Sequence, residues 1–253
     1  GSIALPAGTR LDAAALGLAA SLGCAEVPVY RRPRVAIFST GNEVTAPGEA
    51  LPSAGIYDAN RFTLAGLLTE HGVEVVDLGI LPDELTALKD TLSQAAAHSD
   101  LVISSGGVSV GHADFTRDAL EQLGRLAFWR VALRPGRPMA CGWLGASRTP
   151  FVGLPGNPVA VMVTFLQFVV PLLQRLQGQP VSPPRRLNAI ADEALKSRFQ
   201  RTDFLRGVYH SDKQGRLRVR STGAQGSGIL TSMVAANCLI ELADDQDGVQ
   251  PGE

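Results

Sequence analysis

The sequence predicts an α/β protein with a mostly parallel sheet, followed by a small all-β domain. In the first and longer part of the chain, short apolar runs alternate with segments of helical periodicity. Beyond the proline-rich stretch GQPVSPPRR (residues 178–186), which is typical of a linker, short extended runs dominate. Strands that alternate with helices need right-handed crossovers, which make neighbouring strands parallel. We therefore predict a tail of a preceding domain (1–30), an α/β domain (31–178) and a β domain (179–253).

The elements of the α/β domain follow from hydrophobic periodicity. Strands or extended runs are predicted at residues 35–39, 73–78, 100–104, 127–133, 139–143 and 151–154. Helices are predicted at residues 60–71, 83–97 and 115–123, and from Pro158 onward. Asp58 or Asn60 can cap the first helix and Asp83 the second, because their side chains accept hydrogen bonds from free N–H groups.

The two ends of the chain carry shorter patterns. Residues 1–30 contain a Pro/Gly turn and a short helical pattern, LDAAALGLAASLG. In the β domain, extended runs are predicted at residues 207–210, 217–221 and 238–242. The segment SDKQGR between the first two runs predicts a hairpin turn.

Composition and charge limit the classes of function. The chain has 253 residues, of which 45% are apolar and 19% charged, as in a soluble globular protein. With 23 Lys and Arg against 24 Asp and Glu, the formal net charge is −1, which argues against broad binding to nucleic acid or an anionic membrane. The most apolar stretch, residues 158–173, is shorter than the roughly 20 residues of a membrane span, so it predicts a core or subunit-contact helix.

The cysteines and the start of the chain bear on its location. Cys24, Cys141 and Cys238 lie far apart and form no CxxC pair, which argues against a zinc site or a disulfide framework. The first residues show no signal-peptide pattern. We therefore expect a reducing, cytoplasmic setting.

Carboxylates follow three predicted strands of the α/β domain. Glu43 follows the first strand, Asp83 the second, and Asp114 lies in the loop ISSGGVSVGHADFT after the third. Ligands of open parallel sheets bind beyond the carboxyl ends of the strands, and carboxylates near a phosphate site usually hold Mg²⁺. These residues are our candidates for catalysis and metal binding. As plainer alternatives, Asp83 could be only a helix cap and Glu43 only a solvated loop residue.

Two segments at the same predicted edge have the chemistry of an anion site. In PGNPVA (residues 155–160), Asn157 can cap a helix that starts at Pro158, and Gly156 lets the backbone approach a ligand. The free N–H groups of such a helix start attract anions. The loop after the third strand offers further hydroxyl and N–H groups, those of Ser104, Ser105, Gly106, Gly107 and Ser109. Together the two segments could bind a phosphate, although each alone could be only a turn or a helix start.

The order of the motifs resembles a known family. The segments are FSTGNEV, GIYDANR, ISSGGVSVGHADFT, RPGRP, GLPGNPVA and TGAQGS. From about residue 29 to the end, they resemble the molybdopterin molybdenumtransferases, which comprise the MoeA proteins and the carboxyl-terminal domain of gephyrin. The resemblance implies a three-layer molybdopterin-binding domain with a mostly parallel sheet, plus a small C-terminal all-β domain. Related adenylyltransferases and competence-damage-type proteins share the glycine loop, whereas GLPGNP and the β tail favour the molybdenumtransferases.

The resemblance also implies an activity and a set of site residues. The family takes adenylylated molybdopterin and molybdate and, with a divalent cation that is usually Mg²⁺, cleaves the adenylate and leaves molybdenum on the dithiolene. The family's site positions correspond here to Glu43, Asp83 and Asp114, to the basic pair Arg134 and Arg137, and to Arg206 and Ser227. Pro155, Gly156 and Asn157 are substrate-binding candidates from the helix start described above. Family members are homodimers with sites between subunits, and an adenylyltransferase of the pathway acts upstream. From the residues alone, Arg134 and Arg137 could instead simply flank a turn.

The sequence departs from the family pattern in three ways. The basic pair is commonly lysine in the family, whereas it is arginine here, and Asn42 replaces a more usual aspartate beside Glu43. The amino-terminal third of the family protein, which supplies further site residues across the dimer, is absent from this sequence. The resemblance therefore implies ligand binding more directly than activity by this chain alone.

Two other functions stay open at the level of sequence. An adenylyltransferase of the same pathway would share the glycine loop, but it would need no β tail. A scaffold or peptide-binding module, a role that gephyrin's domain also has, would need exposed apolar surface near the linker or the β tail. Pulldown of a peptide would separate that role from catalysis.

Overall fold

The computed structural model describes residues 2–82, 84–107 and 115–253, with the backbone alone at residues 128 and 129. The helices are α1 (Ala13–Ser21), α2 (Ala59–Glu70), α3 (Leu85–His98), α4 (Phe115–Leu123), α5 (Pro158–Thr164), α6 (Val170–Leu176) and α7 (Leu230–Val234). The strands of the first part are β1 (Arg34–Ser39), β2 (Val44–Thr45), β3 (Ile56–Tyr57), β4 (Glu74–Ile80), β5 (Leu101–Ser105), β6 (Gly124–Arg130), β7 (Leu133–Arg134), β8 (Pro138–Leu144) and β9 (Thr149–Leu154). Those of the second part are β10 (Ile190–Ala191), β11 (Leu195–Lys196), β12 (Thr202–Ser211), β13 (Leu217–Ser221), β14 (Cys238–Leu242) and β15 (Gly248–Val249).

A six-stranded sheet in the order β4-β1-β5-β9-β8-β6 forms the centre of the first part. The four strands β4, β1, β5 and β9 are parallel neighbours, as the alternation of strands and helices predicts. The last two strands, β8 and β6, run as an antiparallel meander from β9. Short connections rather than helices join these three strands in sequence, so no crossover is available to make adjacent strands parallel.

Helices cover both faces of this sheet, which gives the three layers that the resemblance implies. Alternate residues of β1 point to opposite faces: Val35 and Ile37 pack with α2 and the helix that begins at Pro158, while Ala36 and Phe38 pack with α3 and α4. All four of these β1 side chains are fully buried. Burial on both faces explains why the strand is a continuous apolar run rather than an alternating one.

Some predicted boundaries differ from the structure. The second predicted helix, 83–97, begins instead at Leu85, and its N-cap residue Glu84 makes no side-chain capping bond. The predicted extended run 127–133 divides into β6 and β7, because β6 pairs with β8 whereas Leu133 and Arg134 pair with β12. Asp83, the predicted cap of the second helix, lies outside the described residues.

The most apolar segment is a continuous helical stretch, Pro158–Leu176, with a π-helical turn, Phe165–Val169, between α5 and α6. Its 19 residues and a mean hydropathy of 1.8 would allow a membrane span by length and composition alone. In the fold, however, Val161, Phe165 and Leu173 are buried against the sheet and α2. The stretch is therefore packed as a core helix, as predicted.

The second part of the chain is built from β-strands. Strands β10, β13, β12 and β14 form one sheet, and β11 pairs with β15. Asp212 accepts backbone hydrogen bonds from Gln214 and Arg216, which closes the predicted hairpin turn between β12 and β13. Strand β7, although it belongs to the first part in sequence, pairs in parallel with the start of β12. The two parts of the chain thus share a sheet.

Candidate functional site

Three strand ends meet at the carboxyl edge of the central sheet. In the parallel register, Ser39 at the end of β1 lies opposite Ser105 of β5, which in turn lies opposite Leu154 of β9. The loops that follow these strands therefore leave the sheet side by side. This register brings together the segments TGNEV, SGG and PGNP that the sequence places after strands.

These loops and the second part of the chain, which contains β10–β15 and is called the β part below, enclose a cleft of about 950 Å³. The predicted site residues that line it are Glu43, Ser105, Gly106, Gly107, Arg134, Arg137, Pro155, Gly156, Asn157, Arg206 and Ser227. Ser104 does not line the cleft: it is fully buried, and its hydroxyl donates to the carbonyl of Gly106. The predicted residues Asp83, Ser109 and Asp114 lie outside the described residues, so their roles stay predictions.

Glu43 occupies the acidic side of the cleft. The amide of Ile56 donates to the Glu43 carbonyl at 2.7 Å, so the pairing of β2 with β3 fixes the backbone there. The carboxylate folds back over Gly41: both its oxygens lie 2.8 Å from where a Cβ at Gly41 would stand. Glu43 is exposed and forms no ion pair with another described residue. A carboxylate in this state can accept a cation or a donor from a ligand.

The glycine loop turns sharply at the edge of the sheet. Gly106 has φ +86° and Gly107 φ +66°, a left-handed conformation that glycine adopts without strain. The amide of Gly106 already donates to the Leu154 carbonyl at 3.2 Å. The predicted anion site in this loop therefore cannot use that amide while the bond is in place.

The helix start at Pro158 is less open than the sequence predicts. The amide of Val159 donates to the carbonyl of Ser227 at 3.0 Å, and the Asn157 side chain makes no capping bond. The Asn60 amide group donates to the Gly156 carbonyl at 2.7 Å and ties α2 to this turn. A backbone group of the β part thus supplies the cap that we expected from Asn157, which leaves fewer free N–H groups for an anion.

Arg206 is the most unusual side chain of the cleft. It is 1% exposed, and its guanidinium donates to the Ser232 hydroxyl at 3.0 Å and to the Gly226 carbonyl at 3.1 Å. Among the described residues no carboxylate lies within ion-pair distance of it. Burial, and secondly the charge of Arg134, lower the pKa of Arg206 from its ordinary value. The group nevertheless stays charged at neutral pH, since the pKa of arginine lies far above neutrality.

Arg134 and Arg137 are held by the turn between β6 and β8. The amide of Val131 donates to the Arg137 carbonyl at 2.9 Å and closes this turn. The Arg134 guanidinium contacts Asp203 of β12, with Nη2 2.6 Å from Oδ2, and its side chain remains 34% exposed. Arg137 is exposed and forms no ion pair with a described residue. Three guanidinium groups therefore line the cleft, and one of them, that of Arg134, is paired with Asp203.

Sequence reasoning missed three residues that shape the cleft. Asp203 holds Arg134, Gln225 exchanges two hydrogen bonds with the backbone of Arg206, and Asp58 accepts bonds from Ser39 and Arg61. The sequence predicts Asp58 only as a helix cap, which it also is. The signal for Gln225 is present in the motif TGAQGS, whereas nothing local in the sequence distinguishes Asp203 from a surface carboxylate.

The fit to a metal ion depends on Glu43. Within residues 2–82, 84–107 and 115–253, no group of three or more His, Cys, Asp and Glu side chains could hold a metal. Of the predicted ligands, the structure places only Glu43, and an unpaired carboxylate oxygen is the kind of ligand that Mg²⁺ prefers. The other two, Asp83 and Asp114, lie outside the described ranges.

Comparison with known families places both parts of the chain. A family model described as a probable molybdopterin binding domain matches residues 36–175, and one described as the MoeA C-terminal region (domain IV) matches residues 188–253. The α/β part thus matches a molybdopterin-binding type of domain, and the β part matches the corresponding region of MoeA. The chain belongs to the MoeA family.

Individual relatives agree with this assignment. Molybdopterin molybdenumtransferases from Haemophilus influenzae and Nostoc sp. (strain PCC 7120) are 45% and 37% identical over the whole of this chain. The crystal structure of the molybdopterin biosynthesis MoeA protein from Pyrococcus horikoshii OT3 has a TM-score of 0.78 at 28% identity, and the match covers 100% of this chain and 60% of that one. The chain spans 62% and 59% of the length of the two curated relatives.

Proposed function

We propose that this chain forms the substrate-binding part of a molybdopterin molybdenumtransferase, an enzyme of molybdenum cofactor biosynthesis. One observation carries the proposal: a fully buried arginine, Arg206, opens onto the cleft without a described carboxylate to balance its charge. A buried cation is almost always paired, because its removal from water is costly. An anionic substrate would supply the missing partner.

The guanidinium groups suit a tetrahedral oxyanion. Arg206, Arg134 and Arg137 line the same cleft as the hydroxyl of Ser227. Guanidinium forks bind phosphate-like oxygens through paired, charge-assisted hydrogen bonds. We infer that these residues bind molybdate or the adenylate phosphate.

The size and walls of the cleft support adenylylated molybdopterin as the substrate. Its volume of about 950 Å³ lies in the range of roughly 300–1,000 Å³ that is usual for small-molecule sites. In this proposal the pterin phosphate is held by backbone and hydroxyl groups from the two turns, those of Ser105, Gly106, Gly107, Ser109, Pro155, Gly156 and Asn157, while the buried Ser104 only supports the glycine turn. Cleavage of a phosphate anhydride mainly requires alignment and charge neutralisation, which such a site supplies.

Mg²⁺ completes the proposed site. Glu43, with Asp83 and Asp114, would hold the ion, and the unpaired carboxylate of Glu43 in the cleft supports this assignment. When bound, the metal would neutralise phosphate oxygens. The described residues themselves bind and orient the anion.

The wider setting follows from the resemblance and is proposed with it. We propose a cytoplasmic homodimer that receives its substrate from an adenylyltransferase of the same pathway, with activity in a longer protein than this chain. The divisions at residues 1–30, 31–178 and 179–253 are part of this proposal, and the separate extents of the two family matches support them. The match to the MoeA C-terminal region favours a molybdenumtransferase over an adenylyltransferase without a β tail.

Calorimetric titration of the chain with adenylylated molybdopterin, with and without Mg²⁺, tests the proposal. We expect saturable binding that Mg²⁺ strengthens, and we expect Glu43→Gln to remove the effect of Mg²⁺ but not the binding itself. Glu241→Gln, which alters an ion pair outside the cleft, serves as the matched control. Absence of binding under both conditions would contradict the substrate assignment, and an unaltered Mg²⁺ effect in Glu43→Gln would contradict the metal assignment.

A further inference from the structure

We propose that Asp203 is a positioning residue, which holds the guanidinium of Arg134 in the cleft beside Arg206. The inference rests on the proposed function, since it concerns the oxyanion site. Asp203 lies on β12 of the second part, whereas Arg134 lies on β7 of the first part. The pair therefore joins the two parts at the wall of the cleft.

Asp203 is buried, and hydrogen bonds fix its carboxylate. The carboxylate is 0% exposed, and its Oδ2 accepts from Arg134 Nη2 at 2.6 Å and from the Ser197 hydroxyl at 3.1 Å. The backbone reinforces this geometry: β7 and β12 pair with Asp203 opposite Arg134, and the Thr202 amide donates to the Ala132 carbonyl at 3.0 Å. The main chains of the two residues are therefore fixed relative to each other.

The second carboxylate oxygen of Asp203 is buried in a way that does not stabilise the fold. Oδ1 is buried and has no hydrogen-bond partner among the described residues. An unsatisfied buried oxygen destabilises a fold, and an apolar residue would avoid that cost. A carboxylate at this position is therefore accounted for by what it does to Arg134.

Without Asp203, two forces would draw Arg134 out of the cleft. Arg206 carries a like charge close enough to affect Arg134 electrostatically, so the two guanidinium groups repel each other. The Arg134 side chain is already 34% exposed and would gain hydration by turning to solvent. The ion pair with Asp203 opposes both the repulsion and the hydration. The N–H groups of Arg134 that do not bond to Asp203 therefore stay available to an oxyanion.

The direction in which Asp203→Asn changes the affinity for molybdate distinguishes a positioning role from a purely electrostatic one. If Asp203 acted only as a negative charge, its neutralisation would strengthen the binding of an anion. If it positions Arg134, we expect molybdate affinity to fall by about tenfold, which corresponds to about 1.4 kcal/mol. The measurement is calorimetric titration of the chain with molybdate, with Asp192→Asn, another ion-paired carboxylate of the β part, as the control.

A double-mutant cycle completes the test. In the Arg134→Gln background, Asp203→Asn should have no further effect on affinity, because Asp203 acts through Arg134.

Ser197→Ala provides a second test in case Asp203→Asn does not fold. It removes the other donor to Oδ2 but keeps both charges, and it should weaken molybdate binding by about twofold.

Each outcome decides the matter. Equal or tighter binding by a folded Asp203→Asn chain, or additive effects of the two substitutions, would overturn the positioning role while leaving the proposed function intact. If Asp203→Asn does not fold, unchanged affinity in Ser197→Ala would overturn it. No molybdate binding by the unmodified chain would overturn the oxyanion site and this inference together.

Discussion

Arg206 combines burial with the absence of a described counter-charge. Its hydrogen bonds go to a neutral hydroxyl and a carbonyl, and Gln225 fixes its backbone through two further bonds. Such contacts orient a guanidinium but do not balance its charge. The buried charge of Arg206 therefore destabilises the ligand-free chain, and a bound anion would remove that cost.

Arg206→Gln should separate stability from binding. We expect molybdate affinity to fall by at least about tenfold, since charge-assisted bonds to a buried oxyanion contribute about 1.5–3 kcal/mol. The midpoint of thermal unfolding should not fall, because the substitution removes a buried charge that lacks a described partner. Calorimetry and a thermal melt measure the two quantities on one sample.

Arg216→Gln, at an exposed ion pair of the hairpin turn, is the matched control and should alter neither quantity appreciably. A lower melting midpoint together with unchanged affinity would reverse the assignment and make Arg206 a structural residue.

At the scale of single residues, sequence reasoning reached those that local patterns or the resemblance point to. The turn motifs located Gly106, Gly107 and Gly156, because glycine clusters are visible in a sequence. Asp203 was out of reach, since its partner Arg134 is distant in the chain and is met only through the pairing of β7 with β12. The helix cap at Val159 was missed for the same reason: its acceptor, Ser227, lies in another part of the chain.

Two turns at the cleft differ in what they require of glycine. Gly136, in the turn between β6 and β8, has φ +120°, and a Cβ there would stand 2.5 Å from the Thr164 methyl of α5. Gly156, at the start of α5, has no left-handed φ, and a Cβ added there would meet no described atom within 4 Å beyond its chain neighbours. The first glycine is needed by the fold, whereas the second is not.

Alanine substitutions at the two glycines should therefore have opposite outcomes. Gly136→Ala should destabilise the chain by about 2–4 kcal/mol, because strain in the backbone adds to overpacking against α5. Gly156→Ala should change stability by less than about 1 kcal/mol but weaken the binding of adenylylated molybdopterin, since the methyl group enters the space of the ligand.

Denaturant unfolding and calorimetry check both glycine variants, each acting as control for the other. Ligand binding by Gly156→Ala at the strength of the unmodified chain would place the ligand away from this turn.

At the scale of elements, periodicity predicted the central sheet and its helices well. The helix predicted at residues 115–123 matches α4, whose apolar residues recur at helical spacing. The antiparallel direction of β8 and β6 was not predicted, because periodicity distinguishes buried from exposed positions but not the direction of a neighbour. The π-helical turn in the long helix also has no simple pattern in an almost wholly apolar segment.

One face of β12 packs the β part of the chain against the first part. Phe204 packs with Leu133, Val159 and Val163 of the first part, while its neighbour Leu205 packs into the separate core of the β part. Side chains of a strand alternate between faces, so adjacent residues of β12 serve different cores. Phe204 is 5% exposed and Leu205 6%, which makes them a closely matched pair.

Phe204→Ala should loosen the contact between the two parts of the chain. We expect a loss of about 3–5 kcal/mol and faster amide exchange in α5, since a cavity forms against that helix. Leu205→Ala should cost about 2–5 kcal/mol, with faster exchange confined to β12–β14.

Hydrogen–deuterium exchange followed by mass spectrometry measures both Phe204→Ala and Leu205→Ala. Equal acceleration in α5 by the two variants would show that the cores are not separate.

Composition and motifs were sufficient for the two-part organisation of the whole chain and for its family. They could not show how closely the parts interlock, because that depends on tertiary contacts of β7, a two-residue strand without a distinctive sequence.

Strand β7 also limits how homologues can be recombined. A chimaera with its crossover point in the proline-rich segment would take β12 from one parent and the tip of the β6–β8 hairpin from the other. The Leu133–Arg134 ladder and the carboxylate that faces it would then come from different parents. Viable hybrids should be those in which the hairpin tip travels together with the carboxyl-terminal fragment.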